Sequence, residues 1–207
     1  MAQVHWQGVF PALTTKFTAS DEIDWEAMGR HLEFQLDAGV HGLVVLGSLG
    51  ENSTLSPAEK LETVRFYAGA AGRDVPLITC IAECSTRDAR EFALAAEEAG
   101  TDGFMLLPPM RYAGDRRETL TYLHDVAAVT SRPIMLYNNP IAYGTDLTPD
   151  DFHRLSDNPR FEAIKESSAD TRRFTEIRRQ VGDRFALFCG VDDLALDRKS
   201  TRLNSSH

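Results

Sequence analysis

Short apolar runs alternate with longer segments of helical periodicity along most of the chain. The runs are continuous, which is typical of strands buried on both faces of a parallel sheet. The segments between them carry apolar residues three or four positions apart, and several begin with a serine, threonine or aspartate cap. The pattern predicts six helices and seven strands, the strands at residues 9–15, 42–46, 76–80, 103–107, 133–137, 161–165 and 185–190.

Parallel strands joined by helices are compatible with two architectures, a doubly wound open sheet and a (β/α)₈ barrel. A doubly wound nucleotide-binding sheet should carry a glycine-rich loop after its first strand. Residues 12–16 (Ala-Leu-Thr-Thr-Lys) contain no glycine, and no phosphate-loop motif follows elsewhere. We therefore expect an α/β fold, a TIM barrel truncated after its seventh strand, without a nucleotide cofactor.

Composition and charge narrow the class of protein further. The 207 residues are 43% hydrophobic, enough for one domain with a sizeable core, and the net charge of −9 disfavours a nucleic-acid partner. The first residues lack a signal-peptide pattern and no apolar run has the length of a membrane span, so we expect a cytoplasmic protein with no membrane association. Cys80, Cys84 and Cys189 have no metal-ligand spacing, which predicts reduced thiols and no metal.

The last eleven residues, 197–207, show no apolar periodicity. Their sequence, Asp-Arg-Lys-Ser-Thr-Arg-Leu-Asn-Ser-Ser-His, resembles the translation of a common sequencing adapter. We therefore divide the chain into an incomplete barrel domain at 1–196 and a non-native tail at 197–207. This hypothesis implies that the parent protein continues through an eighth strand and helix.

The candidate chemistry lies where the predicted strands end, because the carboxyl ends of barrel strands converge on one mouth. Lys165 ends the sixth predicted strand, and an amine at the edge of an apolar core loses hydration, which favours the neutral form that attacks a carbonyl carbon. Tyr137, Ser48 and Gly190 stand at other strand ends. An amine, a phenol and a hydroxyl suit Schiff-base chemistry, and the amides of the turn at 47–50 suit a carboxylate.

Three motifs, residues 47–51 (Gly-Ser-Leu-Gly-Glu), 137–140 (Tyr-Asn-Asn-Pro) and 164–168 (Ile-Lys-Glu-Ser-Ser), resemble the dihydrodipicolinate synthase and N-acetylneuraminate lyase family of class I aldolases. The resemblance runs from residue 9 to about residue 194 and includes the order of the motifs.

The resemblance implies that Lys165 forms the Schiff base, that Tyr137 shuttles protons and that Ser48 relays them. It implies substrate-binding residues at the same mouth, namely Ser48, Leu49, Asn139 and Gly190. It also implies a homotetramer that binds a small 2-oxo or imino acid and uses neither a metal nor an organic cofactor.

Departures from the motifs of the lysine-biosynthesis synthases narrow the expected substrate. Leu49 replaces a usual threonine, and residues 141–143 (Ile-Ala-Tyr) supply no arginine. Met110, with Tyr112 nearby, stands where the synthases lend a tyrosine across the subunit interface. The motifs look closest to 1-pyrroline-4-hydroxy-2-carboxylate deaminase, which opens a cyclic imine and releases ammonia.

Three alternatives to this deaminase activity stay open. Two are activities within the family: a 2-keto-3-deoxy sugar-acid aldolase or dehydratase, and 4-hydroxy-tetrahydrodipicolinate synthase. The third is a non-enzymatic binding barrel, which the presence of both Lys165 and Tyr137 disfavours.

Arg172 and Arg173 follow the lysine strand and begin the next predicted helix. At that position they are near enough to the mouth to bind an anionic substrate. A solvated helix face is the alternative, and the sequence does not decide between the two.

Overall fold

The structure, a computed structural model, describes residues 2–72, 74–109, 114–195 and 204–205. Its centre is a parallel sheet in which the strands follow one another in chain order, so each strand pairs with the next one along the chain. The sheet curls into an incomplete (β/α)₈ barrel, as the sequence predicts. The strands are β1 (Leu43–Val45), β2 (Leu77–Ile81), β3 (Gly103–Leu106), β4 (Ile134–Asn138), β5 (Phe161–Glu166), β6 (Ala186–Cys189) and β7 (Asn204–Ser205).

Helices connect the strands and begin at capping residues that the sequence already shows. Ser56 and Glu59 form a reciprocal capping box at the start of the second helix, and Asp24 accepts a hydrogen bond from the first turn of the first helix. The helices are α1 (Trp25–Asp37), α2 (Pro57–Ala70), α3 (Thr86–Ala99), α4 (Arg116–Ala127), α5 (Pro140–Tyr143), α6 (Pro149–Leu155) and α7 (Arg172–Val181). A single 3₁₀ turn, Asp192–Leu194, follows β6.

The prediction of a regular strand at residues 9–15 is wrong. This segment lies beside β1, where Ala12 and Val44 form a parallel bridge, and it contains no continuous strand. The amide of Leu13 donates to the Val44 carbonyl at 2.8 Å, and the amide of Val44 donates to the Pro11 carbonyl at 2.9 Å. Pro11 has no N–H to donate to β1, so the hydrogen bonds between this segment and β1 do not form a regular ladder.

Aromatic side chains join this N-terminal segment to the far side of the sheet. The ring of Phe10 meets the ring of Phe188 edge to face, with centroids 5.2 Å apart, and stacks on Trp6 at 5.9 Å. The Trp6 indole N–H also donates to the Glu162 carboxylate at 2.8 Å. Phe10 and Phe188 are fully buried, so these contacts hold the N-terminal segment against β6.

The sequence did not predict β7. The backbone of this two-residue strand pairs in parallel with β6, with Asn204 opposite Phe188 and Ser205 opposite Cys189. Residues 196–203 and 206–207 lie outside the described residues, as do Met110 and Tyr112. The division of the chain at residue 197 stays a prediction.

The three cysteines are free thiols. Cys80 and Cys189 are buried and Cys84 is exposed. Burial raises the pKa of the Cys80 thiol to about 12, so this group stays protonated and unreactive at neutral pH. Within the described ranges, no three His, Cys, Asp or Glu side chains are grouped to hold a metal ion, and no helix is both long and apolar enough to cross a bilayer.

Candidate active site

Lys165 and Tyr137 lie side by side on adjacent strands. In the parallel register of β4 and β5, Tyr137 is opposite Lys165. The Lys165 Nζ atom is 4.6 Å from the centroid of the Tyr137 ring, which is a cation–π distance. Lys165 is 5% exposed and Tyr137 is 9% exposed, so the amine and the phenol share a site largely shielded from water.

Gly190, directly after β6, makes room for the lysine. A Cβ atom at this position would lie 2.8 Å from Lys165 Cε and 2.0 Å from Ser167 Oγ. Both distances are shorter than van der Waals contact, so any side chain at residue 190 would displace the amine. This steric requirement explains the glycine at this strand end.

The turn at residues 47–50 begins with a strained backbone. Leu46, a buried residue, has a φ of 59°, a conformation that costs a non-glycine residue about 1 kcal/mol or more. Gly50 packs so closely that a Cβ atom there would lie 3.0 Å from the Leu13 carbonyl oxygen. The Thr15 hydroxyl then donates to the Gly50 carbonyl at 2.7 Å, which ties the turn to the N-terminal segment.

The amides of this turn divide into two groups. Gly50, Glu51 and Asn52 donate their N–H groups to carbonyls within the turn. Among the described residues, the amides of Ser48 and Leu49 have no such backbone partner. Ser48 and Leu49 belong to the turn whose amides are predicted to bind a carboxylate, and the geometry leaves their two amides available for one.

Tyr143 is a site residue that the sequence analysis did not identify. Its phenol forms a close hydrogen bond with the Ser48 hydroxyl, and its ring meets the Tyr137 ring edge to face with centroids 5.7 Å apart. The available signal was the helix start at Asn139 and Pro140, followed by Gly144. That pattern is typical of a single helical turn. In the structure this turn is α5, and it places the Tyr143 ring against the Tyr137 ring.

Asn139 positions both α5 and Tyr137. Its Oδ1 atom accepts a hydrogen bond from the Ala142 amide at 3.1 Å and so caps α5. Its Nδ2 group donates to the Tyr137 hydroxyl at 3.1 Å. The side chain is therefore engaged beside the phenol, and the substrate contact expected of Asn139 stays a prediction.

A buried polar network supports the ends of β4 and β5. The Asn138 Nδ2 group donates to Asp146 and to Glu166, each at 3.0 Å, and its Oδ1 atom accepts from the Leu147 amide at 2.9 Å. Arg173 donates to both oxygens of Asp146 at 3.0 Å. Burial alone would raise the pKa of Asp146, but the hydrogen bonds from Arg173 and Asn138 hold this pKa below its ordinary value.

The two arginines after the lysine strand are both paired with carboxylates. Arg173 is engaged with Asp146, and Arg172 forms an ion pair with Asp170 at 2.8 Å on an exposed surface. This arrangement fits a structural role for Arg173 and a solvated helix face for Arg172.

A small cavity lies between the strand ends. Its volume is about 110 Å³, which is room for a small acid rather than a nucleotide. The cavity brings together five of the six predicted site residues, and its wall also contains Asp192, which was not predicted from the sequence. It is lined by Ala12, Gly47, Ser48, Leu49, Met105, Tyr137, Lys165, Gly190 and Asp192.

Comparison with known proteins decides the family. The profile of the Dihydrodipicolinate synthetase family matches residues 5–202 of the chain. The chain belongs to this family. Among curated members, the 4-hydroxy-tetrahydrodipicolinate synthase of Salinibacter ruber is 32% identical over 192 residues, which are 92% of this chain and 64% of that protein. The chain thus spans about two thirds or slightly less of the length of the curated family members it matches.

Solved structures of dihydrodipicolinate synthase family proteins have the same fold. YagE, a prophage protein of the family from E. coli K12, solved in complex with pyruvate, superposes with a TM-score of 0.92 at 28% identity. That superposition covers 97% of this chain and 68% of YagE. The dihydrodipicolinate synthase of Acinetobacter baumannii, also complexed with pyruvate, gives a TM-score of 0.94 at 26% identity, over 98% of this chain and 69% of that one.

Proposed function

We propose that Lys165 forms a Schiff base with a small 2-oxo or cyclic imino carboxylic acid, and that the protein acts as a lyase. The observation that carries this proposal is the buried amine of Lys165 against the ring of Tyr137, in a cavity of about 110 Å³. An amine held in an apolar wall loses hydration, and an adjacent phenol is the acid that carbinolamine dehydration needs.

The chemistry follows from the placement of these groups. The lone pair of Lys165 Nζ attacks C2 of the 2-oxo acid, and the resulting carbinolamine loses its hydroxyl as water after Tyr137 protonates it. The amides of Ser48 and Leu49 bind the carboxylate of the substrate, which orients C2 toward the amine. A cyclic imine reacts in the same way, because Lys165 replaces the ring nitrogen at C2.

The first candidate for the overall reaction is the deamination of 1-pyrroline-4-hydroxy-2-carboxylate. Lys165 exchanges onto the C2 imine, Tyr137 removes a C3 proton, and the 4-hydroxyl leaves as water. Hydrolysis then gives 2-oxoglutarate semialdehyde and ammonia. This choice is supported by the apolar Leu49, 64% exposed at the cavity rim, and by α5, which brings a phenol rather than a guanidinium to the site.

The second candidate is 4-hydroxy-tetrahydrodipicolinate synthase. It is supported by the names of the curated relatives, including those from Salinibacter ruber and Haloarcula marismortui, each 32% identical to this chain. Both candidates share the Schiff base on Lys165, so a test of that step does not depend on the substrate. We also propose that the parent protein is a homotetramer, which sedimentation would measure.

Borohydride trapping tests the shared step. The chain is incubated with pyruvate or with the pyrroline acid and then reduced with sodium borohydride. Its intact mass is measured by mass spectrometry. We expect one covalent adduct that Lys165→Met abolishes, with Lys16→Met as the control that retains it. An adduct that persists in Lys165→Met, or no adduct with any 2-oxo or imino acid, would refute the proposal.

A product assay then separates the candidates. Release of ammonia from the pyrroline acid identifies the deaminase. Consumption of pyruvate together with aspartate semialdehyde identifies the synthase, and release of pyruvate from a 2-keto-3-deoxy sugar acid identifies the aldolase.

A further inference from the structure

We propose that Tyr143 is a proton-relay residue, acting through Tyr137, and that it connects the buried Schiff-base site to solvent at Ser48 within a single chain. This inference rests on the proposed function, because a relay matters only if protons move at Lys165. The family resemblance implies proton-transfer roles for Ser48 and Tyr137 and none for Tyr143.

The Ser48 hydroxyl forms its side-chain hydrogen bond with Tyr143. Tyr143 contacts both groups: its phenol is hydrogen-bonded to the Ser48 hydroxyl, and its ring packs edge to face on the Tyr137 ring with centroids 5.7 Å apart. In this arrangement Tyr143 passes the proton between Ser48 and Tyr137.

The exposure of these side chains increases from the amine toward the surface. Lys165 and Tyr137 are buried, Tyr143 is half-buried, and Ser48 is exposed. The formation of a carbinolamine and its loss of water both require proton transfer at a buried amine. A path of hydroxyl groups from that amine to the surface supplies this exchange without opening the cavity to water.

The Tyr143 phenol holds a proton that it can donate. Burial raises the pKa of the Tyr143 phenol above its ordinary value, the hydrogen bond with Ser48 opposes the rise, and the adjacent Tyr137 adds to it through its charge and a hydrogen bond. Tyr143 is therefore protonated at neutral pH. It can act as a donor to Tyr137 whenever Tyr137 has released its own proton.

The proton count is balanced. Tyr137 gives its proton to the carbinolamine hydroxyl, which leaves as water. Tyr143 then gives its proton to the Tyr137 oxygen, Ser48 gives its proton to Tyr143, and a solvent water at the surface gives a proton to Ser48. That water leaves hydroxide in bulk solvent, which balances the positive charge of the new iminium. No group other than these hydroxyls and water is needed.

The position of Tyr143 is held by features independent of its hydroxyl. Asn139 caps α5, and Gly144, with a φ of 71°, ends it with a hydrogen bond from its amide to the Pro140 carbonyl. Tyr143→Phe therefore keeps the ring contact with Tyr137 and removes only the hydroxyl. The matched control is Tyr122→Phe, which removes a phenol buried in α4.

The experiment measures the rate of Schiff-base formation in the full chain by quenching with borohydride at increasing times, using pyruvate as the probe. We expect Tyr143→Phe to lower the maximal rate about tenfold to a hundredfold, without changing the pyruvate concentration at half-saturation. Tyr122→Phe should keep the wild-type rate. Thermal unfolding of each variant shows whether it is folded.

A double substitution separates a relay from a structural role. Ser48→Ala and Tyr143→Phe break the same path, so the double variant should be no slower than the slower single variant. The relay would be overturned if the rate losses of the two single variants multiplied in the double variant, or if Tyr143→Phe kept the wild-type rate. Neither result would contradict the Schiff base. A wild-type chain that forms no adduct would instead refute the proposed function and the relay with it.

Discussion

The Lys165 Nζ atom lies 4.6 Å from the centroid of the Tyr137 ring, across the parallel pairing of β5 with β4. The contact places the phenol on the same side of the sheet as the amine, at the point where both strands end. The reactivity of the lysine should therefore depend on the hydroxyl of the tyrosine, while its position depends on the ring.

Tyr137→Phe tests whether the hydroxyl of Tyr137 sets the reactivity of Lys165 while the ring sets its position. The ring and its contact with the amine remain, so we expect the unfolding free energy to change by less than about 1 kcal/mol. Loss of the acid should slow borohydride-trapped adduct formation with pyruvate about a hundredfold. A rate equal to that of Tyr122→Phe would show that the phenol is not the acid.

Gly190→Ala tests the space reserved for the lysine. A Cβ atom would meet Lys165 Cε at 2.8 Å and Ser167 Oγ at 2.0 Å, so we expect a loss of about 1–3 kcal/mol in unfolding free energy and a large loss of adduct formation. Gly69→Ala is the matched control, because α2 has open space at that position and alanine should stabilise the helix by about 0.5–1 kcal/mol. Full adduct formation in Gly190→Ala would contradict the steric account.

The strand pattern was readable from the sequence wherever an apolar run was continuous. The runs at residues 103–107 and 161–165 correspond to β3 and β5 within one residue at their ends. The ends of the runs at residues 133–137 and 161–165 placed Tyr137 and Lys165 together, because the carboxyl ends of parallel strands meet at one mouth. Residues 9–15 look equally strand-like, but Pro11 removes the amide that a ladder would need.

Tyr143 could not be found by the same reasoning. It lies on α5, which has only four residues, too few for a helical period to appear in the sequence. Its contact with Ser48 joins positions 95 residues apart, and only the folded chain brings them together. The partners of Arg173 were hidden for the same reason, since Asp146 lies in a different connection.

Asn139→Asp tests the positioning of the phenol. Aspartate also caps helices, so α5 should stay in place, but the Nδ2 donor to the Tyr137 hydroxyl is lost. Losing one such hydrogen bond is worth about 1 kcal/mol, which predicts a decrease of about fivefold in the rate of adduct formation. Asn158→Asp, on the connection before β5, is the control. Equal rates for the two variants would exclude a role for Asn139 in positioning Tyr137.

Asp146→Asn tests the network behind the site through its dependence on pH. The pKa of Asp146 is lowered in the folded chain, so its contribution to stability is complete above its ordinary value of 3.8 and is lost as the pH falls through the lower folded value. We expect the variant to lose about 1 kcal/mol in urea unfolding near pH 7 relative to the wild type. This difference should shrink near pH 3, where the wild type loses the same contribution.

The control for this comparison is Asp37→Asn, an exposed carboxylate at the end of α1. Its stability should follow that of the wild type at both pH values. A difference between Asp146→Asn and the wild type that is unchanged by pH would contradict the assignment to the charge of Asp146.

The central claim is that Lys165 is the nucleophile, and peptide mapping of the borohydride-reduced pyruvate adduct tests it most directly. The account predicts that the added mass lies on the peptide that contains Lys165, while Lys60, which is engaged with Glu83 at 2.8 Å, remains unmodified. Modification spread over several lysines, or located on a lysine other than Lys165, would contradict it.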